Sequence, residues 1–283
     1  MHNEKLTKQV CLFWRPETEA MMAATELVLP DLAAESAELD ARVVGLSDAD
    51  WSRSTPAPGW TIAHQIAHLA WTDQVALLSI NDPDELRALG QRAFAQGPDY
   101  IDRAAADGAT QPPSALLAGW RSGRAQLAAA LPEVPDGRKL DWFGPPMSAT
   151  SMATARLMET WAHGQDVADA LGLAVTPTAR LRHIARLAVR TRDFAYRVHD
   201  LAVPDEEFRI ELTAPDGSAW TFGPEDAVQR VSGPAVDFCL LAAQRRHRDD
   251  LALVADGADA RRWLTIMQVF AGPPGRGRQA RES

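Results

Sequence analysis

Gly59-Trp60-Thr61-Ile62-Ala63-His64-Gln65-Ile66-Ala67-His68-Leu69 and, later in the chain, Met158-Glu159-Thr160-Trp161-Ala162-His163 are the two stretches on which the fold turns. Each has the apolar spacing of a helix, and each sets metal-ligand side chains on one face. Glu159 and His163 are four apart, so a helix stacks them one above the other. His64 and His68 are also four apart, and spacing alone leaves open whether one or both supply a third ligand. His, Glu and His from two helices make a sound set for a catalytic zinc that keeps one coordination position open. A metal held between the helices of a bundle is the hypothesis that the rest of the chain must fit.

The competing reading is bland. A lone helical histidine is usually a satisfied core or surface residue, and Glu with His at i,i+4 is a common solvated pair. Against this, Met158, Trp161 and Ala162 flank the pair, and Leu157 and Val167 extend the apolar pattern. The pair therefore lies near the core-facing stripe, where an uncompensated carboxylate is costly. A metal removes that cost. Asp166, three residues after His163, has two readings: its carboxylate orients a metal-binding side chain by hydrogen bond, or it is an ordinary acid on a helix surface.

Outward from these segments, punctuation by Pro and Gly divides the chain. Residues 1–17 show weak periodicity and read as a disordered leader, or as an over-long start with Met21 or Met22 the true one. A helix is expected from Thr18 to about Leu46, with Pro30 kinking it or opening its main segment. Pro56-Ala57-Pro58-Gly59 breaks the chain, Thr61 reads as an N-cap, and a helix follows to about Ser79. A shorter helix is expected near 83–96 and a long one from Ser114 to Leu131. The stretch 132–147 reads as loop, and a fourth long helix starts at Ser148 or Thr150 and ends at Leu171-Gly172. Four long helices with Pro/Gly connections describe a bundle over 18–173.

A helix rich in arginine is expected at 178–199, its row Arg182, Arg186, Arg190 forming a solvated face or one that pairs with the acidic bundle. The period then changes. Phe208–Thr213 alternates as a strand, Pro215-Asp216-Gly217 turns, and Ala219–Phe222 returns. Further strands are expected at Gln229–Val231 and Leu251–Val254, and helices at 234–244 and 259–269. Residues 174–270 thus read as a small α+β unit, and 271–283 as a flexible tail. The fold class is α+β, mainly α.

Composition excludes several functions. The 283 residues carry a formal charge of −9, which argues against general electrostatic binding to nucleic acid or to an anionic membrane. No signal peptide and no membrane span are read. Two cysteines, Cys11 and Cys239, without CxxC spacing argue against a disulfide framework and a thiolate zinc site, and fit a soluble protein of the reducing cytoplasm. Cys239, inside Val236–Leu241, reads as a small buried hydrophobe.

Gly59-Trp60-Thr61 followed by His68-Leu69, then Glu159-x-x-x-His163-x-x-Asp166, resembles the DinB-like metal-binding bundle superfamily. More narrowly, the chain resembles the mycothiol-dependent maleylpyruvate isomerase family over about residues 25–270, with a bundle preceding a small α+β domain. Val231–Leu240 through Gln244–His247, and Phe270–Gly275, resemble an actinobacterial branch of that family. The resemblance implies zinc, or another divalent metal, held by His68, Glu159 and His163, and so favours His68 over His64. It also implies mycothiol as a low-molecular-weight thiol partner, bound as thiolate. The thiolate adds to an electrophilic carbon; for a cis-enedioate, rotation and expulsion of the thiol leave the trans isomer.

Arg246, in Arg245-Arg246-His247-Arg248, is the candidate clamp for a small anionic substrate. Its competing role is capping the 234–244 helix, where positive charge suits the dipole. Trp60, Trp71 and Trp161 either line a pocket or serve the core, the latter being the expectation. Two other functions stand beside the thiol enzyme. One is metal-activated hydrolysis, for which Asp166 or His64 is the candidate general base. The other is a non-enzymatic metal-binding or ligand-sensing module. The sequence does not state the oligomeric state.

Overall fold

A computed structural model describes residues 15–97, 99–143, 146–272, 275 and 277–281, and side chains from residue 28 onward apart from 94 and 96. The expected leader falls mostly outside these residues, as does Cys11. The chain runs α1 (Arg15–Val43), a short α2 (Asp48–Trp51), α3 (Ile62–Asn81), α4 (Pro83–Gln96), α5 (Tyr100–Ala109), α6 (Pro113–Ala130) and α7 (Ala149–Leu171). There follow α8 (Leu181–Arg190), α9 (Arg192–Val198), β1 (Phe208–Thr213), β2 (Ala219–Phe222), β3 (Gln229–Pro234), α10 (Ala235–Ala242), β4 (Val254–Asp256) and α11 (Ala258–Ile266).

The long helices α1, α3, α6 and α7 form the expected bundle, α7 packing on α1 and α3 while α3 also packs on α6. α7 starts where the Ser148 hydroxyl accepts from the Ser151 amide at 3.2 Å. It stops at Gly172, whose φ of +68° suits a residue without Cβ. Pro30 sits inside α1 and does not open it. Two apolar clusters fill the bundle. One, with Leu39, Val43, Trp51, Ile62, Ile66, Trp120 and Val167, closes one end. The other starts from Leu127, Met152, Leu157 and Trp161 and continues without interruption into Ile210, Phe238 and Trp263. The helical part and the sheet therefore share one core.

Differences from the expected elements have local causes. The helix α5 was not anticipated; it lies against α3 so closely that a Cβ on Gly108 would come within 2.8 Å of the Ala67 Cβ. The arginine-rich helix breaks at Thr191, whose hydroxyl lies 3.1–3.2 Å from the carbonyls of Leu187, Ala188 and Gln268, a back-bonding that bends helices. Its link to the bundle is made by Arg180, on Glu35 at 2.7 Å and on Glu38, and by His183, on Asp31 at 2.8 Å. The last strand begins at Val254 because Asp237 takes the Ala252 amide at 2.8 Å and Leu253 is buried.

The sheet has the order β2-β1-β3-β4, with β1 and β3 parallel and both outer pairs antiparallel. Phe208, Ile210 and Leu212 alternate inward along β1. Trp263 meets Phe208 and Phe238 edge-on, each at 5.7 Å between ring centres. Cys239 is fully buried, and burial raises its thiol pKa, as befits a core residue. No helix among the described residues is long and apolar enough to cross a membrane.

Candidate metal centre

α3 and α7 bring His68, Glu159 and His163 together with one ligand atom from each within 4.8 Å of the others. The Glu159 Oε2 is 3.1 Å from His163 Nε2 and 3.6 Å from His68 Nε2. Ligand atoms about 2.0–2.1 Å from a tetrahedral ion are about 3.3 Å apart, so these two separations fit such an ion. Both histidines are more than nine-tenths buried, and Glu159 is half-buried.

A hydrogen-bond chain sets the tautomer of His163. The Gln65 amide donates to the Thr55 hydroxyl at 2.9 Å, so its oxygen faces His163 Nδ1, 2.5 Å away. Nδ1 therefore carries the proton, and the Nε2 lone pair points at the Glu159 carboxylate. Burial pushes the His163 pKa down to about 4, against the pull of Glu159, and keeps the ring neutral. Burial works to raise the Glu159 carboxyl, but the two neighbouring histidines outweigh it and hold it well below its ordinary value. A carboxylate and an imidazole lone pair thus face each other in a buried site. A divalent cation between them balances both, so the donor set fits a metal.

Trp60 forms one wall: it stacks on His163 at 5.9 Å and 16°, and lies 5.3 Å from the His68 ring. Its indole donates to Asp102 at 2.9 Å. Trp71 stands 6.2 Å from His68 and stacks on Phe143. Trp161 is a core residue, whereas Trp60 and Trp71 are half-buried beside the histidines.

Three other site candidates lie elsewhere. His64 Nδ1 is 2.8 Å from the Thr61 hydroxyl and accepts from the Thr61 amide at 3.3 Å. It closes the start of α3 and is not one of the three residues whose ligand atoms converge. Asp166 does not touch a ligand. Only 1% exposed, it pairs with Arg245 at 3.1 Å and with Arg278, because two guanidinium groups offset the burial of its charge. Arg246 gives both terminal nitrogens to Asp169 at 2.7 Å, a bidentate pair that occupies the expected clamp. Gln65 and Thr55, which orient His163, were not singled out from the sequence. Gln65 sits three residues before His68, on the ligand face of the helix, which was the available signal.

Residues 32–168, which include the whole triad, match the family model described as mycothiol maleylpyruvate isomerase N-terminal domain. An uncharacterized protein of Mycobacterium tuberculosis, present in two strains, is 57% identical over 248 residues, 88% of this chain and 96% of the relative. The chain belongs to the mycothiol maleylpyruvate isomerase N-terminal domain family. Residues 204–256 match a second model, described as wyosine base formation. The crystal structure of the mycothiol-dependent maleylpyruvate isomerase is similar at a TM-score of 0.53 and 20% identity, over 78% of this chain and 89% of that one. A histidine-to-alanine mutant of that enzyme gives 0.57 at 18% identity, over 82% and 92%. These two likenesses are of fold.

Proposed function

We propose that the chain is a divalent-metal enzyme, with zinc on His68, Glu159 and His163, that uses a low-molecular-weight thiol to isomerise a small electrophile or to transfer the thiol to it. The observation that carries this reading is the convergence of the three ligand atoms within 4.8 Å. It gains weight because they lie inside the span matching the isomerase domain. Mycothiol, the thiol of the enzyme with the similar fold, is the thiol proposed, acting in the cytoplasm where it stays reduced.

When bound, such an ion supplies Lewis acidity that lowers a thiol's pKa, so that the sulfur is thiolate at neutral pH. The chain's own residues do the rest. Neutral His163 offers Nε2 without first losing a proton, Gln65 fixes its ring, and Glu159 brings the negative charge that favours a cation. Trp60 covers the two imidazoles and keeps water from that side. Arg246 is not carried forward as a substrate clamp, since Asp169 holds its guanidinium.

Hydrolysis without a thiol is less well supported. Of its two candidate bases, His64 is engaged with Thr61 and Asp166 with two arginines. The discriminating experiment is cobalt substitution of protein prepared without an affinity tag. Added mycothiol is expected to shift the visible absorption of the cobalt protein as sulfur joins the centre. A spectrum indifferent to saturating mycothiol would overturn the thiol assignment.

A further inference from the structure

The segment 271–283 was expected to be a flexible tail, and several of its described residues meet the rest of the chain. Gln268 donates to the carbonyls of Phe270 and Gly272 at 2.9 and 3.0 Å. Gly275 lies so close to Gln244 that a Cβ there would come within 2.6 Å of the amide oxygen. The Arg281 amide donates to Asp250 at 3.0 Å. Between these points Arg278 inserts its guanidinium between two elements of the metal centre. One terminal nitrogen pairs with Asp166 on α7, and the other donates to the Pro56 carbonyl at 2.8 Å.

Both partners adjoin the triad. Asp166 follows His163 by three residues, and its other carboxylate oxygen holds Arg245, which donates to the Ala162 carbonyl at 3.2 Å. Pro56 follows Thr55, whose hydroxyl donates to the Trp60 carbonyl at 2.9 Å and accepts from Gln65. Gln65 in turn holds His163 Nδ1. An unbroken path of hydrogen bonds and one peptide unit thus leads from Arg278 to the ring of a proposed ligand, and the same loop carries Trp60 over both imidazoles.

We infer that Arg278 is a positioning residue of the metal centre: it straps the loop 53–61 to α7 and thereby fixes the His163 ring and the Trp60 wall. The planar fork of arginine suits this, because one side chain must serve a carboxylate and a carbonyl in different directions. Outer partners that orient a ligand imidazole alter metal affinity by about 10–100-fold when lost, and an effect of that size is expected here. The affinity part rests on the function proposed above; the positioning of loop and ring does not.

The test compares the full chain with Arg278→Ala, Arg278→Lys, Thr55→Ala and the double variant R278A/T55A, each checked for native circular dichroism. In metal-free protein, the amides of Thr55 and Trp60, bonded to the carbonyls of Trp60 and Ala57, are expected to exchange about tenfold faster or more in Arg278→Ala. The His163 Nδ1–H resonance should move with them. Lysine, one point charge, should pair with Asp166 yet leave the loop amides fast. Zinc affinity, from chelator competition, should fall about 10–100-fold in Arg278→Ala, and the double variant should lose little beyond the larger single loss. Loop amides and a His163 signal unchanged in folded Arg278→Ala would overturn the inference. So would a loosened loop with unaltered zinc affinity, or losses that add fully in the double variant. Failure of the unaltered chain to bind zinc would instead overturn the proposed function, while the loop and ring signals would still decide the strap.

Discussion

Replacing His68 with alanine is expected to weaken zinc binding by more than about a thousandfold, whereas His64→Ala leaves it unchanged. The two histidines sit one turn apart on α3, so composition and spacing treat them alike. Their surroundings do not. His68 is 3.6 Å from the Glu159 carboxylate and 4.6 Å, ring to ring, from His163. His64 spends its Nδ1 lone pair on Thr61. Loss of one of three protein ligands removes a direct bond to the ion and exceeds the 10–100-fold typical of outer partners. His64→Ala should instead cost about 1 kcal/mol of stability, the ordinary effect of losing a helix cap. Chelator competition and urea unfolding on both variants check the pair of outcomes. Zinc lost in His64→Ala and kept in His68→Ala would refute the ligand assignment.

The largest effect on folding is expected at Arg156, on α7 one turn before Glu159. Its Nε donates to Asp73 of α3 at 2.9 Å, and the two residues are 1% and 5% exposed. Arg156→Met should destabilise the chain by about 3–5 kcal/mol, because it leaves a buried carboxylate without its counter-charge. Asp73→Leu combined with Arg156→Met should recover most of that loss, since two apolar groups replace the pair without an orphaned charge. The pH dependence has a definite sign. Burial already raises the Asp73 pKa, against the pull of Arg156, and removing Arg156 raises it further. A carboxyl with a raised folded-state pKa binds protons more readily folded than unfolded, so its destabilising effect shrinks as pH falls through that pKa. The difference between Arg156→Met and the unaltered chain should therefore be smaller at about pH 5 than at about pH 8. Urea midpoints in the presence of a chelator measure it, and a difference that grows on acidification would contradict the assignment.

Much of this architecture is legible in the sequence, for identifiable reasons. Pro56-Ala57-Pro58-Gly59, Asn81-Asp82-Pro83 and Leu171-Gly172 are strong local breaks, and the helices between them carry regular apolar spacing. Glu159 and His163 are recognisable because the i,i+4 rule is local. What failed to show depends on contacts between distant segments. Its position on α7 left Asp166 with two readings, a ligand's partner or a surface acid; in the fold it is buried and its charge is matched by Arg245 and by Arg278, the latter more than a hundred positions away in sequence. The composition Gly-Pro-Pro-Gly-Arg-Gly-Arg suggests a flexible tail, and nothing local reveals that a buried carboxylate awaits one of its arginines. Arg246 likewise meets Asp169 only in the folded chain. His64 was separable in principle: Thr61-x-x-His64 places an acceptor at the third residue after an N-cap, as a capping box does.

The stretch between α4 and α6 shows a second limit. Tyr100–Ala109 is only ten residues long, so its apolar spacing spans too few turns to stand out from the loops beside it. Its place is set by Gly108 against Ala67 and by Asp102 accepting the Trp60 indole. Through Asp102, α5 holds Trp60, the wall of the centre. The loop that carries Trp60 is thus fixed by two segments whose roles no local pattern announces.

The central claim is that His68, Glu159 and His163 form a divalent-metal centre. Calorimetric titration of zinc into tag-free, metal-stripped protein tests it most directly, with Glu159→Ala run alongside. Saturation at about one equivalent is expected for the unaltered chain, in keeping with a single three-ligand site, with that uptake lost in Glu159→Ala. A folded chain that takes up no zinc, or one whose uptake survives Glu159→Ala unchanged, would contradict it.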